Sequence, residues 1–198
     1  MVTVKTTKEI DVVVIDDFLD LIHHKMLSES ILESPIWQFM PQISTEDGGD
    51  LLTNYGFTSS VVYEEHPDQY YNESMKHSKF IKFLNDKVMK TFNLKSVIRC
   101  RMDMTTYRGT DPITFSPHID QDGLHYTSIY YLNDSDAPTI LYNEELYSGL
   151  VTKDMPLTEY KRITPKKNRL LFFKGNRIHT GMCTTNSACR VLINTNYR

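Results

Sequence analysis

Three residues of this sequence, His118, Asp120 and His179, have the types and spacing to hold a metal ion. Alternate residues of an extended strand share a face, so the imidazole and carboxylate of His118-Ile119-Asp120 stand side by side, roughly 6.5–7 Å apart at Cα. A second imidazole from another strand completes two nitrogens and one oxygen on one side of an ion. The other side stays open to exchangeable ligands, and that donor set suits Fe(II) and oxygen chemistry. A His-x-Asp tripeptide is common by chance. The bland alternative is a strand start at His118, a hairpin turn at 120–123 and an exposed loop histidine at 179.

The surroundings favour the metal. His118 and Asp120 end an apparent strand beside a turn, where a ligand can enter. His179 follows the apolar run Leu170-Leu171-Phe172-Phe173 and the turn residues Lys174-Gly175-Asn176. Arg190 lies within the otherwise apolar final strand Val191-Leu192-Ile193, and a guanidinium in a half-buried strand needs an anionic partner. That partner is either a carboxylate of this chain, with Asp103 the first candidate, or a ligand's carboxylate clamped at two points. A rival triad is open. If Asp122-Gly123 makes a two-residue hairpin turn, Asp120 faces His125 across the pair, and His118, Asp120 and His125 become the ligands. A chain that crosses to an opposing sheet at this point removes that pairing and favours His179.

The elements that must position these residues change character along the chain. Val12-Val13-Val14-Ile15 reads as a buried strand. Asp16 or Asp17 caps a helix to about Glu33, stopped by Pro35. Residues 37–40 form a second strand, and 41–60, rich in turn formers, form a long loop. Asn72 caps a second helix to Phe92, which Asn93 ends in a left-handed conformation. From Ser96 the pattern is short strands and turns: 96–107, 114–121, 124–132, 138–142, 160–164, 168–173 and 189–197. The expected fold is α+β, mainly β: a jelly roll with N-terminal supporting helices, in one domain over 1–198. Residues 1–95 supply helical support and a lid region (41–77), and 96–198 the core.

Bulk properties bound the partners. The 198 residues are 40% hydrophobic and 24% charged, with a net charge of −3. No basic block marks a nucleic-acid footprint, no apolar run is long enough to span a bilayer, and the N-terminus lacks a signal-peptide core. Cys100, Cys183 and Cys189 read as reduced thiols, Cys183 and Cys189 as small buried hydrophobes, in a cytoplasmic protein. His23, His24, His66 and His77 read as solvated.

These residues resemble the Fe(II)/2-oxoglutarate-dependent dioxygenases, and within them the prolyl 4-hydroxylase-like enzymes, of which similar short forms occur in phage and marine bacterial genomes. The resemblance rests on His118-x-Asp120, the strand Asp122-Gly-Leu-His-Tyr-Thr-Ser-Ile-Tyr-Tyr-Leu-Asn133, the approach Arg169-Leu-Leu-Phe-Phe173, His179 and Arg190, and covers about residues 97–197. It implies a double-stranded β-helix, Fe(II) on His118, Asp120 and His179, and 2-oxoglutarate held by Arg190. It also implies Tyr131, Thr139, Leu141 and Asn194 around that co-substrate, with Tyr107 and Ile129 as further pocket residues. The reaction implied consumes O2, releases succinate and CO2, and hydroxylates a C–H bond. The substrate implied is a peptidyl proline or other protein side chain. The alternatives are a free amino acid or small metabolite, or a non-catalytic metal-binding jelly-roll module. Two departures stand out: Arg190 lies one or two residues further from His179 than in many relatives, which a bulge in 182–189 would absorb, and Ala137-Pro138 replaces a Gly-Gly pair.

Overall fold

The computed structural model describes residues 11–33, 37–43, 54–63 and 77–198. Its elements are β1 (Val12–Ile15), α1 (Leu21–Leu32), β2 (Gln38–Met40), β3 (Gly56–Tyr63), α2 (Ser78–Phe92), β4 (Val97–Thr106), β5 (Tyr126–Tyr131), β6 (Thr139–Glu145), β7 (Glu159–Ile163), β8 (Leu170–Lys174), β9 (Arg177–Gly181) and β10 (Cys189–Tyr197). A seven-stranded sheet has the order β1-β8-β5-β10-β4-β3-β2, and a three-stranded sheet the order β7-β6-β9. Every pairing within them is antiparallel. This is the mainly-β, double-sheet jelly roll with supporting helices.

The period-two alternation of each strand decides what the two faces of the large sheet do. On one face Cys100, Met102, Tyr130, Leu170, Phe172, Val191, Ile193 and Tyr197 pack with Leu27 and Ile31 of α1 and Ile81, Leu84 and Val88 of α2. Phe172 stacks on Phe92 of α2 with centroids 3.8 Å apart. Asn85 of α2 is anchored here too, its Oδ1 accepting from Tyr197 at 2.8 Å and from Thr195 at 3.2 Å. The opposite face meets the small sheet. There Ile129, Tyr131, Leu171, Phe173 and Leu192 pack with Leu141 and Ile163.

Several expectations are corrected. Helix α1 starts later, capped by Asp20, whose carboxylate accepts from His23 N at 3.1 Å. Residues 56–60, expected in a loop, belong to strand β3, which pairs with both β2 and β4. Residues 114–121 form no ladder, only the isolated bridges Thr114–Met182 and His118–His179. Pro117 has no N–H to give a ladder there. Strand β9, unexpected, is ordered by its pairing with β6. His24 and His77 are buried, not solvated; His24 Nδ1 meets the Tyr130 hydroxyl at 2.8 Å. Asn93 ends α2 at φ 55°, as its type suggests. The expected cap Asn72, the stop at Pro35, His66 and most of the lid region lie outside the described residues.

Candidate metal centre

The chain crosses to the small sheet at His118, so no hairpin joins Asp120 to His125. Backbone bonds of 2.9 Å in both directions tie His118 to His179 on β9. One donor atom from each of His118, Asp120 and His179 lies within 4.8 Å of the other two. The imidazoles of His118 and His179 have centroids 4.7 Å apart. Each presents Nδ1 to a backbone carbonyl, Ser116 O at 3.0 Å and Arg177 O at 3.1 Å. A carbonyl only accepts, so Nδ1 carries the proton and Nε2 keeps its lone pair, the tautomer that a metal needs. His179 Nε2 lies 3.8 Å from Asp120 Oδ2. Burial pushes the His179 imidazole down to about 4 and lowers His118 as well, so neither needs to lose a proton near neutrality.

Asp120 has a side chain only 1% exposed, which on its own would raise its pKa; Arg99, then His179 and His118, overcome that and hold it well below the usual carboxylate range. Its Oδ1 accepts from Arg99 Nη2 at 2.7 Å and Asn194 Nδ2 at 3.1 Å. Its Oδ2 accepts from Asn196 Nδ2 at 2.9 Å, Thr127 Oγ1 at 3.3 Å and Asn194 Nδ2 at 3.3 Å. The donor set and both tautomers therefore fit a divalent transition metal.

A cleft between the sheets runs from this cluster to Arg190. It is partly open to solvent and is lined by residues including Arg101, Asp103, Thr139, Ile129, Arg190 and Asn194. Arg190 is 6% exposed. Its Nη2 donates to Thr139 Oγ1 at 2.6 Å, and Thr139 Oγ1 also meets the Tyr131 hydroxyl at 2.7 Å. The guanidinium lies beside Gly181, where an added Cβ would come within 2.9 Å of Nη1 and push the guanidinium aside. Asp103 is not its partner: that carboxylate sits 2.8 Å from Arg101 Nε. Among the described residues no carboxylate forms an ion pair with Arg190, and its Nε has no acceptor. Burial lowers its pKa, and the opposing influences of Tyr131 and, behind it, the Asp103 carboxylate do not make up the cost. A buried cation in that state fits an anionic ligand, and the carboxylate of 2-oxoglutarate has the right charge and shape.

The remaining expected residues fall into two groups. Leu141 is paired with His179 in register, and Ile129 with Asn194; both are buried in the intersheet layer. Tyr107 and His125 stand apart. Tyr107 follows the end of β4, is 50% exposed and does not line the cleft. His125 packs against Gly175, where a Cβ would lie 2.1 Å from its ring, and lines a different cavity. The segment between β9 and β10, where a bulge was expected, is a loop pinned by Asp136, whose carboxylate accepts from the backbone of Thr185 at 2.8 Å and Asn186 at 2.9 Å. The sequence reading missed Arg99, Thr127 and Asn196 around the carboxylate. The alternation Arg99-x-Arg101-x-Asp103-x-Thr105 was the available signal, because a buried strand with every second residue polar faces something polar.

Residues 102–198 match the family model described as the 2OG-Fe(II) oxygenase superfamily. No curated protein matches the chain. Among solved structures, a prolyl hydroxylase from Trichoplax adhaerens in complex with a hypoxia inducible factor oxygen degradation domain peptide is similar at 17% identity and TM-score 0.61, over 94% of this chain and 82% of that one. The epimerase SnoN, in complex with Fe3+, alpha ketoglutarate and nogalamycin RO, is similar at 11% identity and TM-score 0.62, over 94% and 78%. A Pseudomonas putida prolyl-4-hydroxylase is similar at 13% identity and TM-score 0.52, over 94% and 91%. At such identities the likeness concerns the fold. No helix among the described residues is long and apolar enough to cross a membrane.

Proposed function

We propose that this chain, an enzyme of the 2OG-Fe(II) oxygenase superfamily, binds Fe(II) through His118, Asp120 and His179 and hydroxylates a C–H bond of a peptidyl proline or another protein side chain. The observation that carries the reading is Arg190: a buried guanidinium with no carboxylate ion pair among the described residues, in the cleft that His118 and His179 also line. When bound, Fe(II) and 2-oxoglutarate supply the activation of O2, with release of succinate and CO2. The chain's own residues position and protect. Arg190, backed by Thr139 and Tyr131, fixes the distal carboxylate of the co-substrate and so its direction of approach. Ile129 and Leu192 line that part of the cleft and keep water from it. Asn194 ties Asp120 to β10, the strand that also carries Arg190, so ligand and co-substrate site are fixed to one rigid element.

The prolyl hydroxylase likeness of the fold supports the peptidyl substrate. One observation favours a second reading, a free amino acid or related metabolite: Arg101 and Asp103, both largely buried, place opposite charges 2.8 Å apart in the cleft wall. A small zwitterion matches that pair. Succinate production across proline peptides, free amino acids and nucleotides separates the two. Stimulation by proline peptides, with a product 16 mass units heavier by one added oxygen, is expected; stimulation by free amino acids alone would replace the peptidyl reading, and stimulation by nucleotides alone would overturn both.

A further inference from the structure

Asp120 is held by more donors than a carboxylate needs to stay charged, and their arrangement is uneven. Arg99 occupies the carboxylate from one side only. Its Nη2 donates to Oδ1 at 2.7 Å, while its Nε donates to Asn196 Oδ1 at 3.1 Å. Asn196 Nδ2 then donates to Asp120 Oδ2 at 2.9 Å and to Thr127 Oγ1 at 3.0 Å. Arg99, Asn196 and Asp120 thus close a ring in which every polar direction is fixed. The amide of Asn196 cannot flip, because its oxygen is needed by Arg99. The carboxylate cannot rotate without breaking a charge-assisted bond, the stronger kind. Register explains the placement: Arg99 sits opposite Asn196 on the β4–β10 ladder, on the face that looks toward the small sheet.

The consequence falls on the metal. Oδ2 is the oxygen that faces His179 Nε2, at 3.8 Å. Oδ1 takes the one charged donor, the guanidinium, whereas the donors to Oδ2 are neutral amide and hydroxyl groups. We propose that Arg99 is a positioning residue that limits Asp120 to one-oxygen ligation, keeping free the coordination position that a chelating carboxylate would take. Two imidazole nitrogens and one carboxylate oxygen leave three positions of an octahedron; a second carboxylate oxygen leaves two. A bidentate co-substrate and O2 together need three. Removing Arg99 lets the carboxylate turn and chelate, so the metal stays bound while co-substrate binding suffers. This rests on the metal reading of His118, Asp120 and His179.

The test uses Co(II) as a spectroscopic stand-in, loaded anaerobically into the full chain, then titrated with 2-oxoglutarate. Arg99→Ala is expected to bind Co(II) stoichiometrically at saturating metal with altered visible bands, and to lose about tenfold or more in 2-oxoglutarate affinity, a loss of the size that outer-shell changes produce in metal affinity or activity. Arg99→Lys, which restores one charged donor to Oδ1, is expected to return both properties toward those of the unaltered chain. If Arg99→Ala does not fold, Arg99→Met keeps the stem and carries the same comparison. Unchanged bands and unchanged 2-oxoglutarate affinity with Co(II) bound overturn the proposal, as does an Arg99→Lys protein as altered as Arg99→Ala. Failure of the unaltered chain to take up Co(II) overturns instead the metal reading beneath it.

Discussion

The two faces of the large sheet are built from the same strands and differ in almost every physical respect. Along β10, Val191, Ile193, Thr195 and Tyr197 alternate with Arg190, Leu192, Asn194 and Asn196, and all eight are buried. The first set faces the helices and stabilises the fold by apolar burial, with Thr195 and Tyr197 also donating to Asn85 of α2. The second set, with Arg99, Arg101 and Asp103 of β4, puts charged and amide groups between two sheets. Buried polar groups cost stability unless paired, and a buried charge costs most. Asp120 is paired several times over, whereas Arg190 hydrogen-bonds the neutral Thr139 and forms no ion pair among the described residues. One face is therefore arranged for folding. The other keeps an unmet charge, which is the expense of binding something.

Changes that separate the faces test this contrast. The largest stability effect belongs to the helix side. Phe172→Ala removes a fully buried ring stacked on Phe92 and Tyr126 and is expected to cost about 3–5 kcal/mol in denaturant unfolding. A loss under about 1 kcal/mol would break the contrast from that side. Arg190→Met is expected to have the opposite sign. Replacing a buried charge by an apolar side chain of similar length should leave stability equal or raise it by up to about 4 kcal/mol, while 2-oxoglutarate no longer binds and metal binding survives. Marked destabilisation would mean that Arg190 is structural. The smallest effect concerns His24, buried beside Tyr130, where burial lowers its pKa from 6.5. The folded state then takes up its proton at lower pH than the unfolded chain does. Below pH 6.5 the unfolded chain binds more protons, so stability falls as pH falls toward the folded value. His24→Gln should flatten the pH dependence of stability between pH 7 and 5 by at most about 1.4 kcal/mol per pH unit, and an unchanged slope would exclude His24 as its source.

What could be read in advance follows the same division. Strands β5, β8 and β10 are legible because apolar and β-branched residues dominate them. Helix α2 is legible in its 3.6-residue period. Strand β9 was not, because Arg177-Ile-His-Thr-Gly181 has no pattern of its own and is ordered by β6. Strand β3 was hidden by Ser59-Ser60 and the register shift after it. In the site, His118, Asp120 and His179 stood out by residue type, and Arg190 by being a charge in an apolar strand. His125 could be separated from the cluster only by knowing which sheet residues 118–120 join. Tyr107 failed for a related reason: one residue past the end of β4, alternation no longer fixes where a side chain lies. Arg99 and Asn196 were within reach, since each sits at a polar position of an alternating strand. What the sequence lacked was the register that sets them opposite each other.

The most direct test of the central claim is an anaerobic titration of 2-oxoglutarate into the Fe(II)-loaded protein, following the weak visible charge-transfer band of the chelate. The band should form in the unaltered protein and in His125→Ala, and be absent in His179→Ala. A band of full intensity in His179→Ala, or none in correctly folded unaltered protein with Fe(II) bound, would contradict the account.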